Sequence, residues 1–319
     1  MNIVHISKTP LAGSPGRLSD ETNKINEISS LAFIEKDYPG ELSGKFIYNS
    51  ILLDCLSSWN LLKHSIKFAD IIHIHNDISM ECLHIILNQN PTSKFVYHVH
   101  SPLREGPLFF EVYKTLGIDF YKKIVVGQYH PRHYPDFIPL LNIVPFKTNS
   151  NVKDINDKIR ILFSPSHTRM GGRWNDKVSI ELDRTLKLLD KDKRFEIITP
   201  NKISPSALFE LRRTCNITID EITTGSYHQI SLEGLAAGNV VINNSDFFSN
   251  IFLETLSNSS EHVPFIRMNN KNVSRKLPEL LSAPEEIYHI QKQSLKFYKK
   301  NLSPQKTASR LIDIYKGKI

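Results

Sequence analysis

The chain has 319 residues, 40% of them hydrophobic and 23% charged, with a formal net charge of +7 and three cysteines. That length suits two domains of about 150 residues, each able to bury a core without a disulfide or structural metal, and the composition excludes disordered, collagen-like and coiled-coil chains. Cys55, Cys82 and Cys215 are odd in number and far apart, which excludes a disulfide framework and fits a reducing compartment.

The chain opens on MNIVHIS, an apolar strand rather than a signal sequence, and no run reaches the roughly 18 apolar residues of a membrane span. A cytoplasmic protein is expected. Its basic residues are dispersed, without Lys/Arg runs interleaved with aromatics, so nucleic acid is not an expected partner. Lys292, Lys296, Lys299 and Lys300 cluster on a late helix and point to weak peripheral contact with the inner, anionic face of a membrane. A solvated helical face is the plainer alternative.

In chain order, strands are expected at Asn2–Ser7, Lys45–Tyr48, Asp70–His75, Lys94–His100 and Lys122–Gly127. Helices are expected near Leu18–Glu35, Leu53–Lys67, Ser79–Leu87 and Leu108–Leu116. Strands that are apolar throughout, such as IVHI and ADIIHI, belong to a parallel sheet covered on both faces. The polar stretch Lys147–Asp157 reads as a linker. The rhythm then restarts with strands at Arg160–Ser164, Arg194–Thr199, Asn216–Asp220, Asn239–Asn243 and Val263–Met268. Helices are expected around Asp176–Leu189, Pro205–Arg213, Ile230–Ala237, Phe247–Leu256, Val273–Leu281 and Pro284–Lys299, with a last amphipathic helix at Pro304–Tyr315. The fold class is therefore α/β, with two Rossmann-like domains, 1–147 and 158–302, facing a central cleft. The tail, 303–319, is expected to complete the first domain.

Four segments carry candidate chemistry. In HISKTPLAGSPGR, Gly13 and Gly16 make a turn with exposed backbone N–H groups, and Arg17 starts a helix; neither the dinucleotide fingerprint nor the P-loop is present. In VYHVHSPLR, His98 and His100 are read as pointing to opposite faces of the strand, with His100 nearer its carboxyl end, while His73 and His75 share a face of the preceding strand. Metal is not expected, because no H-E-x-x-H or cysteine partner appears. In IRILFSPSHTRMGGRWNDK, Arg169, Arg173 and Lys177 flank two glycines, where a diphosphate could lie against guanidinium and backbone groups. In Ile217–Asn244, a strand leads through Gly225 and Ser226 into a helix whose N-terminus suits a diphosphate. Glu233 is placed in that helix's first turn, positioned to accept from ribose hydroxyls.

The last segment resembles the donor-binding signature of retaining GT-B glycosyltransferases, of the family-4 type. The matching residues are Gly225, Tyr227, Ser231, Leu232, Glu233, Gly234, Leu235, Ala236, Ala237, Gly238, Val240 and Val241. The resemblance implies an enzyme that moves a sugar from a nucleotide-diphosphate donor to a glycan or lipid-linked acceptor. Surface polysaccharide synthesis is the implied setting, with no cofactor beyond the donor and no essential metal. It places Glu233 on the donor ribose, and Gly225, Ser226, Tyr227, Ser231 and Leu232 toward diphosphate and sugar. Arg173 and Lys177 would neutralise the diphosphate, and His100 would contact the transferred sugar. The family's earlier glutamate is replaced by Gly225, and Asp220 or Glu221 is the substitute. A nucleotide-sugar epimerase and a non-catalytic nucleotide-sugar binder or scaffold are the competing readings.

Overall fold

The computed structural model describes residues 1–37, 48–100, 113, 115–128, 130–145, 148, 151–155, 158–164, 179–200 and 203–319. The chain divides into two compact units, one of residues 1–143 with 304–319 and one of residues 144–303.

The first unit is a parallel sheet of seven described strands: β1 (Asn2–Ser7), β2 (Ser29–Ile34), β3 (Ile51–Leu52), β4 (Ile71–His75), β5 (Lys94–Val99), β6 (Phe120–Val126) and β7 (Ile138–Leu140). Their order is β3-β2-β1-β4-β5-β6-β7, so the direction of winding reverses between β1 and β4. Its helices include α1 (Ser14–Thr22), α2 (Leu56–Lys67), α3 (Met80–Gln89) and the C-terminal helix (Pro304–Tyr315). Period-2 alternation sends Val4, Ile6, Ile72, Ile74, Tyr97 and Val99 into a core with Leu62, Ile66, Leu83 and Ile86 of α2 and α3. Ile3, Ile71 and Val96 face the other way, under Leu18 of α1 and Leu311, Ile312, Ile314 and Tyr315 of the C-terminal helix. Both faces are covered, which is why these strands read as continuous apolar runs.

The single helix expected over Leu18–Glu35 is two elements, α1 and β2. Helical pattern gives way because SSLAFI pairs along its whole length with β1, from Asn2↔Ser29 to Ser7↔Ile34. Asn23 fixes the turn between them, its side chain donating to Ser30 O (2.8 Å) and accepting from Ser30 N (2.7 Å). Near the strand expected at Lys45–Tyr48, residues 45–47 lie outside the described residues and Tyr48 is in a turn with φ 46°. The strand itself is β3, a little later, paired Phe33↔Ile51. β7 carries Pro139 and gave no strand signal; proline is tolerated there because the strand is at the sheet's edge. The helix expected at Leu108–Leu116 lies mostly outside the described residues.

The second unit holds β8 (Ile159–Phe163), β9 (Phe195–Ile198), β10 (Ile217–Ile219), β11 (Val240–Asn243) and β12 (Phe265–Arg267), with α4 (Ile180–Leu189), α5 (Pro205–Arg213), α6 (Gln229–Ala237), α7 (Phe247–Leu256), α8 (Val273–Leu281) and α9 (Pro284–Asn301). The strands are parallel in the order β12-β11-β10-β8-β9, and the winding reverses between β8 and β10. Helix starts follow side-chain chemistry visible in the sequence: Ser179, Ser204 and Asp246 each accept from the backbone N–H three residues on. Gly238 ends α6 in the left-handed conformation, φ 71°. In open parallel sheets, ligands bind outside the carboxyl ends of strands at such reversals, which directs attention to the ends of β1 and β4 and of β8 and β10.

Candidate functional site

In the second unit, β10 runs directly into Asp220 and Glu221 beside the reversal point. Asp220 is buried, and its Oδ2 accepts from the backbone N–H of His228 (2.8 Å) and from Ser231 Oγ (2.7 Å). Burial by itself would raise the Asp220 carboxyl, but His228 and the hydrogen bonds from His228 and Ser231 hold it below the ordinary carboxylate range. Glu221 Oε2 accepts from Thr223 N (2.6 Å), Thr223 Oγ1 (2.7 Å) and Thr224 N (2.9 Å), and its Oε1 accepts from Thr224 Oγ1. These bonds place the His228 ring between two carboxylates, its Nδ1 3.4 Å from Asp220 Oδ1 and 3.8 Å from Glu221 Oε1. The ring is 20% exposed. An imidazole held this way can donate a hydrogen bond or relay a proton to a ligand at the strand ends.

The structure separates the predicted loop residues into two sets. Ser226, Tyr227, Ser231 and Leu232 are buried. Ser226 Oγ donates to Tyr227 O (2.9 Å), and Tyr227 packs against Phe265, where burial pushes its phenol up. Ser231 Oγ also accepts from Asn243 Nδ2 (3.0 Å). Gly225, His228, Gln229 and Ile230 are the partly exposed positions. Gly225 takes φ 78°, and its carbonyl accepts from Asp246 N (3.0 Å) and Ser249 Oγ (3.3 Å). One expectation changes in kind: the Asp220 carboxylate already sits at the N-terminus of α6, supplying the negative charge that the helix dipole favours there.

Glu233 is the fifth residue of α6, in its second turn rather than its first. Its Oε2 accepts from Arg212 Nη1 at 2.6 Å, with Arg212 wholly buried and the Glu233 side chain 8% exposed. Gln229 Nε2 reaches Oε1 at 3.4 Å. A ribose would have to share this carboxylate with a buried guanidinium. The sequence concealed that partner, because Arg212 and Arg213 at the end of α5 look like ordinary helix C-terminal cations. Arg169, Arg173 and Lys177 lie outside the described residues.

In the first unit, Gly13 and Gly16 are buried rather than exposed. Gly13 adopts φ 81°, and a Cβ at Gly13 or Gly16 would run into the Tyr48 ring or the Tyr48 carbonyl respectively. Close packing therefore accounts for both glycines. Arg17 is buried as well, with its guanidinium over the Tyr48 ring at 4.3 Å and Nη1 donating to Ile143 O (3.1 Å).

Toward the carboxyl ends of β1, β4 and β5, the sheet face carrying Ile3, Ile71 and Val96 turns from aliphatic to imidazole. His98 and His100 do not point to opposite faces: two residues is one full strand period, and their ring centroids lie 3.9 Å apart. Strand register sets His5 opposite His73 and His75 opposite His98, so all five histidines form one patch. His5 Nδ1 lies 2.9 Å from His75 Nε2, His75 Nδ1 lies 2.9 Å from His100 Nε2, and His73 Nδ1 lies 2.5 Å from the Tyr315 hydroxyl. Burial holds His5 and His100 down at about 3; burial together with neighbouring imidazoles holds His73, His75 and His98 well below the usual histidine range. The patch is therefore neutral.

On the late helix, Lys296 and Lys300 are paired with Glu261 (3.1 and 3.2 Å), and Lys292 lies over the Tyr288 ring. No helix among the described residues is long and apolar enough to cross a membrane.

No family model and no curated protein sequence matches the chain. Solved structures do match its fold. HepE of Anabaena, in complex with UDP, is 10% identical over 99% of this chain and 100% of its own, with a TM-score of 0.65. An alpha-glucosyltransferase in complex with UDP and a 13-mer DNA is 13% identical over 99% of this chain and 100% of its own, with a TM-score of 0.62. A UDP-N-acetylglucosamine 2-epimerase is 10% identical over 100% of this chain and 97% of its own, with a TM-score of 0.51. The fold is the two-domain α/β fold of GT-B glycosyltransferases. At these identities the likeness is one of fold, which transferases share here with an epimerase. Because the DNA-bound neighbour has the same fold, the expectation that nucleic acid is not a partner finds no support in these comparisons.

Proposed function

We propose that the protein is a glycosyltransferase that moves a sugar from a nucleotide-diphosphate donor to a glycan or lipid-linked acceptor, with retention at the anomeric carbon. The observation that carries this reading is the pair Asp220–Glu221 holding His228 at the carboxyl end of β10, beside the reversal point and within the resembling segment. The nucleotide lies over the partly exposed positions 223–225 and 228–230. Glu233 shares Oε1 with the ribose, and Arg173 and Lys177 neutralise the diphosphate in place of a metal at the phosphates. UDP is the first nucleotide to test, since UDP-bound proteins share the fold. Assembly of surface polysaccharide, near the inner face of a membrane, fits this chemistry.

The alternative favoured by a specific observation is epimerisation. A histidine between two carboxylates suits proton transfer at a sugar carbon, and an epimerase shares the fold. One experiment separates the readings: incubation with UDP-sugars, with and without acceptor glycans, followed by NMR of the sugar and assay of free UDP. Acceptor-dependent UDP release supports transfer. A new epimer without an acceptor supports the alternative. Stabilisation by UDP, about 2.7 kcal/mol at 100 times Kd, with no turnover on any sugar would leave a nucleotide-sugar binder and overturn both.

A further inference from the structure

We propose that His75, His98 and His100 of the first unit form a binding site for one divalent late-transition-metal cation of the zinc class, with His5 fixing the ring of His75. The inference does not rest on the glycosyltransferase reading.

Convergence is the first observation. One ring nitrogen from each of the three histidines falls within 4.8 Å of the other two, and nitrogens bound at about 2.0–2.1 Å around a tetrahedral zinc lie roughly 3.4 Å apart. Unsatisfied chemistry is the second. His98 is 1% exposed, and both of its ring nitrogens are buried with no hydrogen-bond partner among the described residues. Leaving a buried polar group unpaired is costly, and a bound cation removes that cost for the nitrogen it takes.

Tautomers are the third. If His75 Nε2–H donates to His5 Nδ1, then His75 Nδ1 presents a lone pair toward His100 Nε2, and the 2.9 Å between those atoms is bridged by a proton. The cation takes the place of that bridging proton. His100 then carries its hydrogen on Nδ1, so the rings stay neutral, no proton is released, and the site gains only the cation's own charge. Metal-binding histidines typically have the other ring nitrogen held by an outer partner, and His5 fills that place for His75. The neighbouring trio His5, His73 and His75 also converges, but His73 Nδ1 is committed to Tyr315 and His5 Nδ1 to His75. His100 is only partly buried, which gives the preferred trio a route of entry.

Three imidazoles without thiolate or carboxylate select zinc, cobalt, nickel or copper over magnesium and calcium, and they leave a fourth position for water. Sequence inspection missed the site because its ligands come from two H-x-H strands joined only by register.

The test uses the full chain with any affinity tag removed, stripped with a chelator and titrated with Co²⁺. The expected result is a tetrahedral visible spectrum saturating at one ion per chain, displaced by Zn²⁺ and not by Mg²⁺. His98→Ala and His100→Ala should each abolish it, His5→Gln should weaken binding about 10–100-fold, and the exposed His84→Ala should leave it unchanged. His100 is partly exposed, so its variant keeps the test open if His98→Ala fails to fold. Absence of stoichiometric cobalt binding by folded wild type, or binding that survives unchanged in folded His100→Ala, overturns the proposal.

Discussion

The carboxyl ends of the two sheets hold histidines in opposite electrostatic settings. In the first unit, five imidazoles, four of them buried and His100 partly so, contact one another and are neutral, with Tyr315 as a hydroxyl partner. In the second, one partly exposed imidazole lies between Asp220 and Glu221, and a buried Arg212–Glu233 pair sits below in the same unit. The same place in the same kind of sheet thus presents neutral ring nitrogens in one unit and an imidazole between two carboxylates in the other. What differs is the group that faces the imidazole: carboxylates in the second unit, other imidazoles in the first.

The sharpest break in this comparison is Glu233→Ala. Removing one member of a buried ion pair leaves the other uncompensated, so a loss of about 3–5 kcal/mol is expected by denaturant unfolding. The Arg212 contact makes this substitution a test of stability and not only of the ribose contact. The pH response comes next. His5 is held at about 3 against 6.5 when unfolded, so the unfolded chain binds more protons between those values. Its stabilising contribution is complete above 6.5 and is lost as pH falls, at about 1.4 kcal/mol per pH unit for each ring kept neutral. Asp220, held below its ordinary value of 3.8, loses its contribution only under more acidic conditions. Hydrogen exchange in metal-free buffer should therefore show protection lost from the first unit between pH 6.5 and 4 while the second unit still holds. Simultaneous loss would contradict the contrast.

Gly16→Ala should cost about 1–3 kcal/mol by overpacking against the Tyr48 carbonyl, measured as a lowered midpoint without change in slope. Asp220→Asn retains the shape but removes the charge facing His228. About 1 kcal/mol of stability should go, the difference between charged and neutral hydrogen bonding, together with most sugar turnover. Last, Lys296→Ala with Lys300→Ala should leave the melting temperature unmoved, since their partner Glu261 pairs with them at the solvent-exposed surface.

Local pattern alone determined a good deal. Apolar runs and caps located β1, β4, β5, β8 and β10 and most helices of the second unit, because each signal is contained within a dozen residues. The segment Ile217–Asn244 was legible as strand, loop and helix for the same reason, and Asp220 and Glu221 stood out at the strand end. Tertiary structure decided the rest. Residues 29–34 became a strand because β1 lay beside them, not because of their own pattern. Glu233 met Arg212 from 21 residues away. Five histidines on β1, on β4 and at the end of β5 became one patch only through parallel register. Pairing and convergence depend on which distant strands become neighbours, and that is set by burying the whole sheet under its helices rather than by any local stretch of chain.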